Sequence, residues 1–316
     1  MEKLELNTTI TDEHAGLRLD QVLSRILPQH SRSRIQSWIK SGMVTVNEHA
    51  PRQRDTVQAG DVINLDVRFE AMDENQAEAI PLNIVYEDDD IILVNKPAGL
   101  VVHPGAGNPA HTLVNALLHH DSKLNRLPRA GIVHRLDKDT TGIMLIARTP
   151  EAHTFLVDKL QSRDIKREYQ ALVCGVITAG GQIETGIGRH PAKRTRMAVS
   201  ESGKHALTHY RLLEKFQHYT LLRVILETGR THQIRVHMSH IKHAVVGDPL
   251  YGRNKSMLKG ISEPVRDAVA NFKRQALHAW QLQLTHPRTG QMLKYQAPVP
   301  DDMQALITLL SEHDRE

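Results

Sequence analysis

Short apolar runs, rather than long amphipathic stretches, limit what this chain can fold into. They recur at Ile91-Ile-Leu-Val94, Ile143 to Ala147, Tyr169 to Val176, Tyr219 to Glu227 and Leu282 to Leu284. Runs of this length, bounded by turn residues, suit strands better than helices. Helical patterns fall between only some of them, at Thr112 to His119 and Glu151 to Gln161. Strands therefore outnumber helices and no regular strand–helix–strand alternation emerges. The expectation is an α+β domain with a mixed sheet over residues 80–313, opening with Ile84-Val-Tyr86 and the acidic turn Glu87-Asp-Asp-Asp90.

Ahead of it, residues 17–68 read as a separate small module, joined by an acidic, non-periodic linker at 69–79. Leu17, Leu19, Val22, Leu23, Ile26 and Leu27 recur at helical spacing, with Pro28 near the helix end. Ser31 can cap a second helix carrying Ile35, Trp38 and Ile39, and Gly42 stands where a left-handed residue ends it. Two strand-like pieces follow, Val44-Thr-Val and Val62 to Val67, around a polar loop with Arg52 and Arg54. The helices carry Arg18, Arg25, Arg32, Arg34 and Lys40 against one acid, Asp20. Such a run can be a solvated face, but cations in this excess suit a phosphate-facing surface equally well. The stretches Leu17-Arg-Leu-Asp20, Ser31-Arg-Ser-Arg-Ile35, Gly42-Met-Val-Thr-Val-Asn47 and Gly60-Asp-Val-Ile63 resemble the S4 RNA-binding domain. The resemblance implies an αα/β module that reads RNA shape and backbone, with Arg32 and Arg34 among its contacts.

Composition excludes some classes. One cysteine, Cys174, among 316 residues rules out an intramolecular disulfide framework and any multi-cysteine zinc site. A net charge of +4 permits a polyanionic partner without demanding one. There is no apolar leader in Met-Glu-Lys-Leu-Glu-Leu-Asn and no run long enough to span a membrane, so a soluble, cytoplasmic protein is expected.

Several motifs could carry chemistry. Asn95-Lys-Pro-Ala-Gly99-Leu-Val-Val-His103-Pro-Gly105 is a strand followed by two turns, and it lacks the glycine spacing of a dinucleotide site and the lysine of a phosphate loop. Arg129-Ala-Gly-Ile-Val-His-Arg-Leu-Asp137-Lys-Asp-Thr-Thr-Gly142 sets one aspartate between two apolar runs. By itself Asp137 is a turn aspartate or a carboxylate put to use. Arg167-Glu-Tyr169 begins a strand, and Tyr169 there is a packing residue or one that stacks on an extruded base or moves a proton. Glu227-Thr-Gly229-Arg-Thr-His232-Gln-Ile-Arg235-Val-His237 offers cations that would keep a nearby carboxylate ionised. His237, His240 and His243 drift around a helix instead of holding one face, so structural roles are expected and no metal site is assigned. The loop Gly188 to Met197, with Lys193, Arg194 and Arg196, is a surface loop or a phosphate contact.

Together, His134-Arg-Leu-Asp137-Lys-Asp-Thr-Thr-Gly142, Arg167-Glu-Tyr169, Gly229-Arg-Thr-His-Gln-Ile-Arg235 and Leu277-His-Ala-Trp-Gln-Leu282 resemble, in order, the motifs of the RluA family of pseudouridine synthases. That family's common form has Ser where this chain has Thr141. The resemblance implies a mainly antiparallel catalytic sheet flanked by helices, no cofactor and no metal. It implies Asp137 as nucleophile, Arg235 as its cationic partner and Tyr169 as the stacking, proton-accepting residue. Leu282 is implied as apolar support for the ring, and Arg135 as the side chain that fills the gap left by a flipped base. His103-Pro-Gly-Ala-Gly-Asn-Pro109, Asn115-Ala-Leu-Leu118 and the basic loop resemble members acting on large-subunit (23S) ribosomal RNA, which implies uridines of the helix 69 stem-loop. The implied partner is that RNA or a ribosomal subunit precursor, with no obligate protein partner. A non-catalytic RNA-binding assembly factor is the alternative, and it leaves the Asp, Tyr and Arg motifs unexplained.

Overall fold

The computed structural model describes residues 3–27, 32–68, 76–105, 107–193, 195–252 and 260–313, and the side chains of all of these except Lys3, Ser33, Arg34 and Arg68. Pro28, the Ser31 cap, most of the linker (69–75) and Arg194 lie outside the described residues, as does the side chain of Arg34. The chain separates into two compact units, Met1–Gln76 and Ala77–Glu316.

The first unit comprises β1 (Lys3–Thr9), α1 (Leu19–Ile26), α2 (Arg32–Lys40), β2 (Val44–Val46) and β3 (Val62–Arg68). Its antiparallel sheet runs β1-β3-β2. The core joins Leu19, Val22 and Leu23 of α1 and Ile35, Trp38 and Ile39 of α2 to Ile63, Leu65 and Val67 of β3. Gly42 has φ 77°, the left-handed turn expected after α2. β1 was not foreseen. Its alternation is only Leu4 and Leu6 between Glu5 and Asn7, and what fixes it is pairing with β3 (Leu6 opposite Leu65, Leu4 opposite Val67). Asp20 was counted as the lone acid on a basic surface, yet it is fully buried. It accepts hydrogen bonds from Nε and Nη2 of Arg18 (3.1 and 3.0 Å), from Nε and Nη2 of Arg32 (3.1 and 2.8 Å) and from Gln36 (2.6 Å). Burial works to raise its pKa, and these partners overcome it and hold the carboxyl low.

The second unit comprises, in order, β4 (Ile84–Glu87), β5 (Ile91–Lys96), α3 (Leu113–His120), β6 (Thr141–Ala147), α4 (Pro150–Gln161), β7 (Lys166–Cys174), β8 (Gly181–Arg189), β9 (Met197–Val199), β10 (Lys204–Lys215), β11 (Tyr219–Leu226), α5 (Gln233–His240), α6 (Glu263–Asn271), β12 (Leu277–Thr285), β13 (Met292–Gln296) and α7 (Asp301–His313). One sheet runs β4-β5-β6-β12-β7-β11-β10-β8-β9, with β13 also paired to β12. Among the described residues only the β6–β12 contact is parallel, so the sheet is mixed and mainly antiparallel.

The central strands read as continuous apolar runs because both sheet faces are covered. Ile92 and Val94 of β5 and Met144 and Ile146 of β6 pack with α3 (Leu113, Leu117) and α7 (Met303, Leu306, Ile307, Leu310). The intervening Ile91, Leu93, Ile143, Leu145 and Ala147 pack on the other side with Ala152 and Leu156 of α4. Each fully buried aliphatic side chain of this kind contributes roughly 1.5–3 kcal/mol. α3 begins where Thr112 and Asn115 form a capping box, and α4 where the Thr149 hydroxyl accepts from the Ala152 amide.

Gly142, the second residue of β6 and opposite Lys96 and Ala279, has φ 114° and no room for a side chain. A Cβ there would stand 2.2 Å from the carbonyl oxygen and 2.6 Å from the amide nitrogen of Ala279. Gly142→Ala is therefore expected to cost on the order of 4 kcal/mol or more, or to prevent folding. Urea unfolding of purified protein checks this, and a loss below about 1 kcal/mol would contradict the close approach of β6 to β12.

Candidate active site

Asp137 lies in the turn between the buried Leu136 and the first residue of β6, its side chain 17% exposed. Nearly every residue after it is tied down. The carbonyl of Lys138 accepts from Nζ of Lys96 at 2.8 Å, and that of Asp139 from Arg274 at 3.4 Å. The Thr140 hydroxyl accepts from Gln275 at 3.0 Å, and the Thr141 hydroxyl shares a hydrogen bond with His278 at 2.8 Å. Lys96 is 1% exposed and also donates to the carbonyls of Pro97 (2.7 Å) and Leu100 (3.0 Å). All three ammonium protons thus go to carbonyls. Burial pushes its pKa down to about 7, against the opposing pull of Asp139 and Asp137. The motif Asn95-Lys-Pro, read from the sequence as a strand running into a turn, is what pins the aspartate's turn.

Arg235 and Asp137 meet. Nη1 of Arg235 donates to Oδ2 of Asp137 at 2.9 Å. Nε and Nη2 of the same guanidinium grip Asp248 in a fork at 2.7 and 2.9 Å. Asp248, fully buried at its side chain, also accepts from the amides of Leu250 (2.8 Å) and Tyr251 (3.0 Å). Burial favours neutral forms of both partners, but their mutual hydrogen bonds and charges prevail. Arg235 is held above its ordinary range with help from Asp137, and Asp248 is held below the usual carboxylate range. Arg235 reaches this position because α5 starts abruptly. His232 takes a left-handed conformation (φ 58°), and the Gln233 side chain accepts from Thr228 and the Arg230 amide while donating to Leu207 and Thr208.

His232 Nε2 lies 3.8 Å from Asp137, and its Nδ1 shares a 2.8 Å hydrogen bond with the Tyr251 hydroxyl. That hydroxyl also accepts from the Met197 amide at 2.7 Å, which ties the base of the β8–β9 hairpin to the site. Burial lowers the His232 pKa despite the Asp137 charge. The Tyr169 ring is buried within the larger apolar core, and burial raises its pKa, opposed by Arg167 and reinforced by Asp137. It is therefore a protonated phenol at neutral pH.

Of the remaining expected residues, Arg135 is exposed beside Asp137, and Lys193 and the half-buried Arg196 lie on the β8–β9 hairpin. Leu282 is 1% exposed, packs with Ile143, Leu145 and Leu284 beneath α4, and pairs with Arg167 across the β12–β7 ladder, two residues from Tyr169. A bulge in β12 between His278 and Gln281 sets that register. Arg32 is committed to Asp20, although its side chain keeps 47% of its exposure. The histidine series also differs from its expected geometry, because α5 ends at His240 and His243 lies beyond it. His237 has both ring nitrogens engaged, by Thr208 (2.9 Å) and Thr185 (3.0 Å). Among the described residues, the one set of acids and histidine spaced for a metal is Asp88, Asp90 and His286. It sits at the far end of the β5–β6 ladder from Gly142, with Tyr86 and Arg288 already bonded to its carboxylates.

Asp248, Lys96 and Tyr251 were missed by sequence reading. The Gly247-Asp-Pro-Leu-Tyr-Gly252 segment offered a signal in its glycine-flanked acid, but nothing in it points to a partner thirteen residues away. Removing the buried acceptor with Asp248→Asn is expected to cost about 3–5 kcal/mol at neutral pH, since it leaves Arg235 half-paired. The sign follows from a depressed folded-state pKa: this stability is fully present above the unfolded value near 3.8 and is lost as pH falls through the lower folded value. Urea unfolding at pH 7 and pH 3 should show the gap between wild type and variant narrowing in acid, and a gap independent of pH would contradict the pairing.

Comparison with known proteins identifies the family of both units. Residues 90–240 match the family model for RNA pseudouridylate synthase, and residues 17–63 match the S4 domain. The chain is 51% identical over 311 residues to the ribosomal large subunit pseudouridine synthase D of Haemophilus influenzae, covering 98% of this chain and 96% of that one. It is 50% identical over 310 residues to the protein of the same name from Escherichia coli, covering 98% and 95%. Its fold is shared with human RNA pseudouridylate synthase domain containing 4, at a TM-score of 0.58 and 23% identity over 72% of this chain and 93% of that one. A carboxylate pinned beside a buried guanidinium, in a chain half identical to these enzymes along nearly its whole length, places the protein in the RNA pseudouridylate synthase family.

Proposed function

We propose that this chain isomerises uridines to pseudouridine in large-subunit ribosomal RNA, with Asp137 as nucleophile. The observation that carries the reading is the Asp137–Arg235–Asp248 arrangement, which holds one partly exposed carboxylate against a fixed guanidinium at the edge of a buried site. Pseudouridine formation breaks N1–C1′, turns the freed base and rejoins it through C5, with no net change of atoms or redox state. The residues needed are a nucleophile, a group to hold the ring and a proton acceptor. An ionised Asp137 serves attack at either C1′ or C6. Arg235 stays against it while RNA excludes water, because Asp248 prevents the guanidinium from swinging away. Tyr169, close enough to feel Asp137, supports the base, and as a protonated phenol it takes the C5 proton only by releasing its own, acting as a relay. The base must leave its stack to arrive there, at a cost of a few kcal/mol that is smaller in a loop than in a duplex. Arg135, exposed next to Asp137, is suited to occupy the gap.

The RNA class comes from the relatives' names, and the helix 69 stem-loop from the motif resemblance. That substrate carries with it a cytoplasmic location. No helix among the described residues is long and apolar enough to cross a membrane. The S4 unit, with exposed Arg25, Lys40, Arg52 and Arg54, together with Arg32, Arg34 and the hairpin residues Lys193, Arg194 and Arg196, serves to position phosphates and not to supply chemistry.

The test is tritium release from 5-tritiated uridine in large-subunit RNA, free or in ribosomal subunits, without added metal or nucleotide. Wild type should release tritium, and Asp137→Asn should be slower by at least about 10³-fold, as for loss of a nucleophile. Equal release would remove Asp137 from its role. Binding without release by either protein would favour an RNA-binding assembly factor.

A further inference from the structure

We propose that Arg167, together with the Nδ1–H of His134, forms a donor pair that receives the negative charge building on the uracil ring during isomerisation. This rests on the isomerase reading above and assigns it a further substrate-contacting group.

The starting point is an anomaly in the pairing of buried arginines. Three arginines are buried among the described residues: Arg167, Arg235 and Arg274, at 8%, 3% and 8% exposure. Arg235 grips Asp248, and Arg274 grips Asp302 at 2.7 and 2.6 Å. The Arg167 side chain has no ion pair or hydrogen bond with any described residue, and its Nε is sealed from solvent without a partner. A buried, uncompensated guanidinium is a cost that folding does not recover, and such groups concentrate at functional sites.

A second orphan stands with it. His134 Nε2 accepts the Leu145 amide proton at 3.0 Å, which fixes the ring proton on Nδ1. That Nδ1–H is likewise buried without an acceptor. Burial, aided by the Arg167 charge, pushes the His134 pKa down to about 3, so the ring is a neutral donor.

Both groups belong to the segments that build the site. His134 is three residues before Asp137, and Arg167 lies on the same face of β7 as Tyr169, two residues before it. The guanidinium extends toward the loop that launches α5: Nη1 is 2.9 Å from where a Cβ on Gly229 would stand. Glycine at 229 therefore leaves room for Arg167, and Arg235 follows six residues later on that helix.

The chemistry favours a ring oxygen as the acceptor. If Asp137 bonds to C1′, the electron pair of N1–C1′ departs with the ring. If Asp137 adds to C6, the electrons of C5=C6 move onto O4. Either route charges the ring oxygens, and neither transfers a proton to or from Arg167. A phosphate is the other anion that RNA could bring. The arginine's partners in the ladders are the buried Leu226 and Leu282, an interior setting that fits an inserted base better than a solvated backbone. Donors aimed at charge that appears only along the reaction raise the rate without tightening the ground state.

The experiment uses the full-length protein and compares wild type with Arg167→Met and Arg167→Ala. It follows single-turnover tritium release at saturating enzyme, RNA affinity across a salt series, and thermal melting. Arg167→Met should slow release by about 10²–10³-fold, as for loss of one oxyanion donor, with affinity and its salt slope unchanged and a melting temperature no lower than wild type. Methylguanidinium should restore Arg167→Ala activity saturably. If the methionine variant does not fold, Arg167→Lys, which keeps the charge and loses the fork, replaces it and should still show a rate defect. A lowered melting temperature with no chemical rescue would make Arg167 structural and overturn the proposal. Weaker binding with a salt slope reduced by about one, at an unchanged saturated rate, would assign it to phosphate instead. An active wild type with an equally active variant would refute this proposal alone, whereas an inactive wild type would refute the isomerase reading as well.

Discussion

The second unit's chemistry depends on one guanidinium shared between two carboxylates. Asp248 takes two of the Arg235 donors and Asp137 takes a third. Because Asp248 is the more buried partner and is itself held by two backbone amides, it anchors the arginine, and the arginine in turn places Asp137. This order matters for the proposed role of Asp137: with Asp248 already gripping Arg235 in a fork, the guanidinium is fixed and gives Asp137 a hydrogen bond that orients it.

The backbone around Asp137 follows the same division of labour. Lys96 from β5, His278 from β12, and Arg274 and Gln275 from the residues just before β12 bind the turn at carbonyls and hydroxyls, leaving the carboxylate itself alone. Supporting groups that fix backbone rather than the reactive oxygens can hold geometry tightly without altering nucleophilicity. The parallel contact of β6 with β12, which Gly142 makes possible, brings the two strands that supply these groups together.

Much of this was legible in the sequence. Apolar runs such as Ile91 to Val94 and Ile143 to Ala147 gave strand positions because both faces are buried, and the family resemblance pointed to Asp137, Tyr169 and Arg235, of which Arg235 meets Asp137. What was not legible was pairing across long separations. β1 exists because β3 offers it an edge. Asp248 matters because of a helix whose start is set by a left-handed His232. Lys96 reads as loop punctuation until its three carbonyl partners come together in space.

The buried Asp20 changes how the S4 unit's charge should be understood. A count of cations along the sequence treats Arg18 and Arg32 as free counter-charges for RNA, yet each donates twice to one sealed carboxylate. Part of the unit's basic charge is therefore used inside it, linking the residue before α1 to the start of α2. Fewer condensed counterions are then displaced from RNA than the sequence count suggests. The unit gives up some electrostatic grip for a fixed angle between its two helices, so it binds RNA as a shaped surface more than as a cluster of charge.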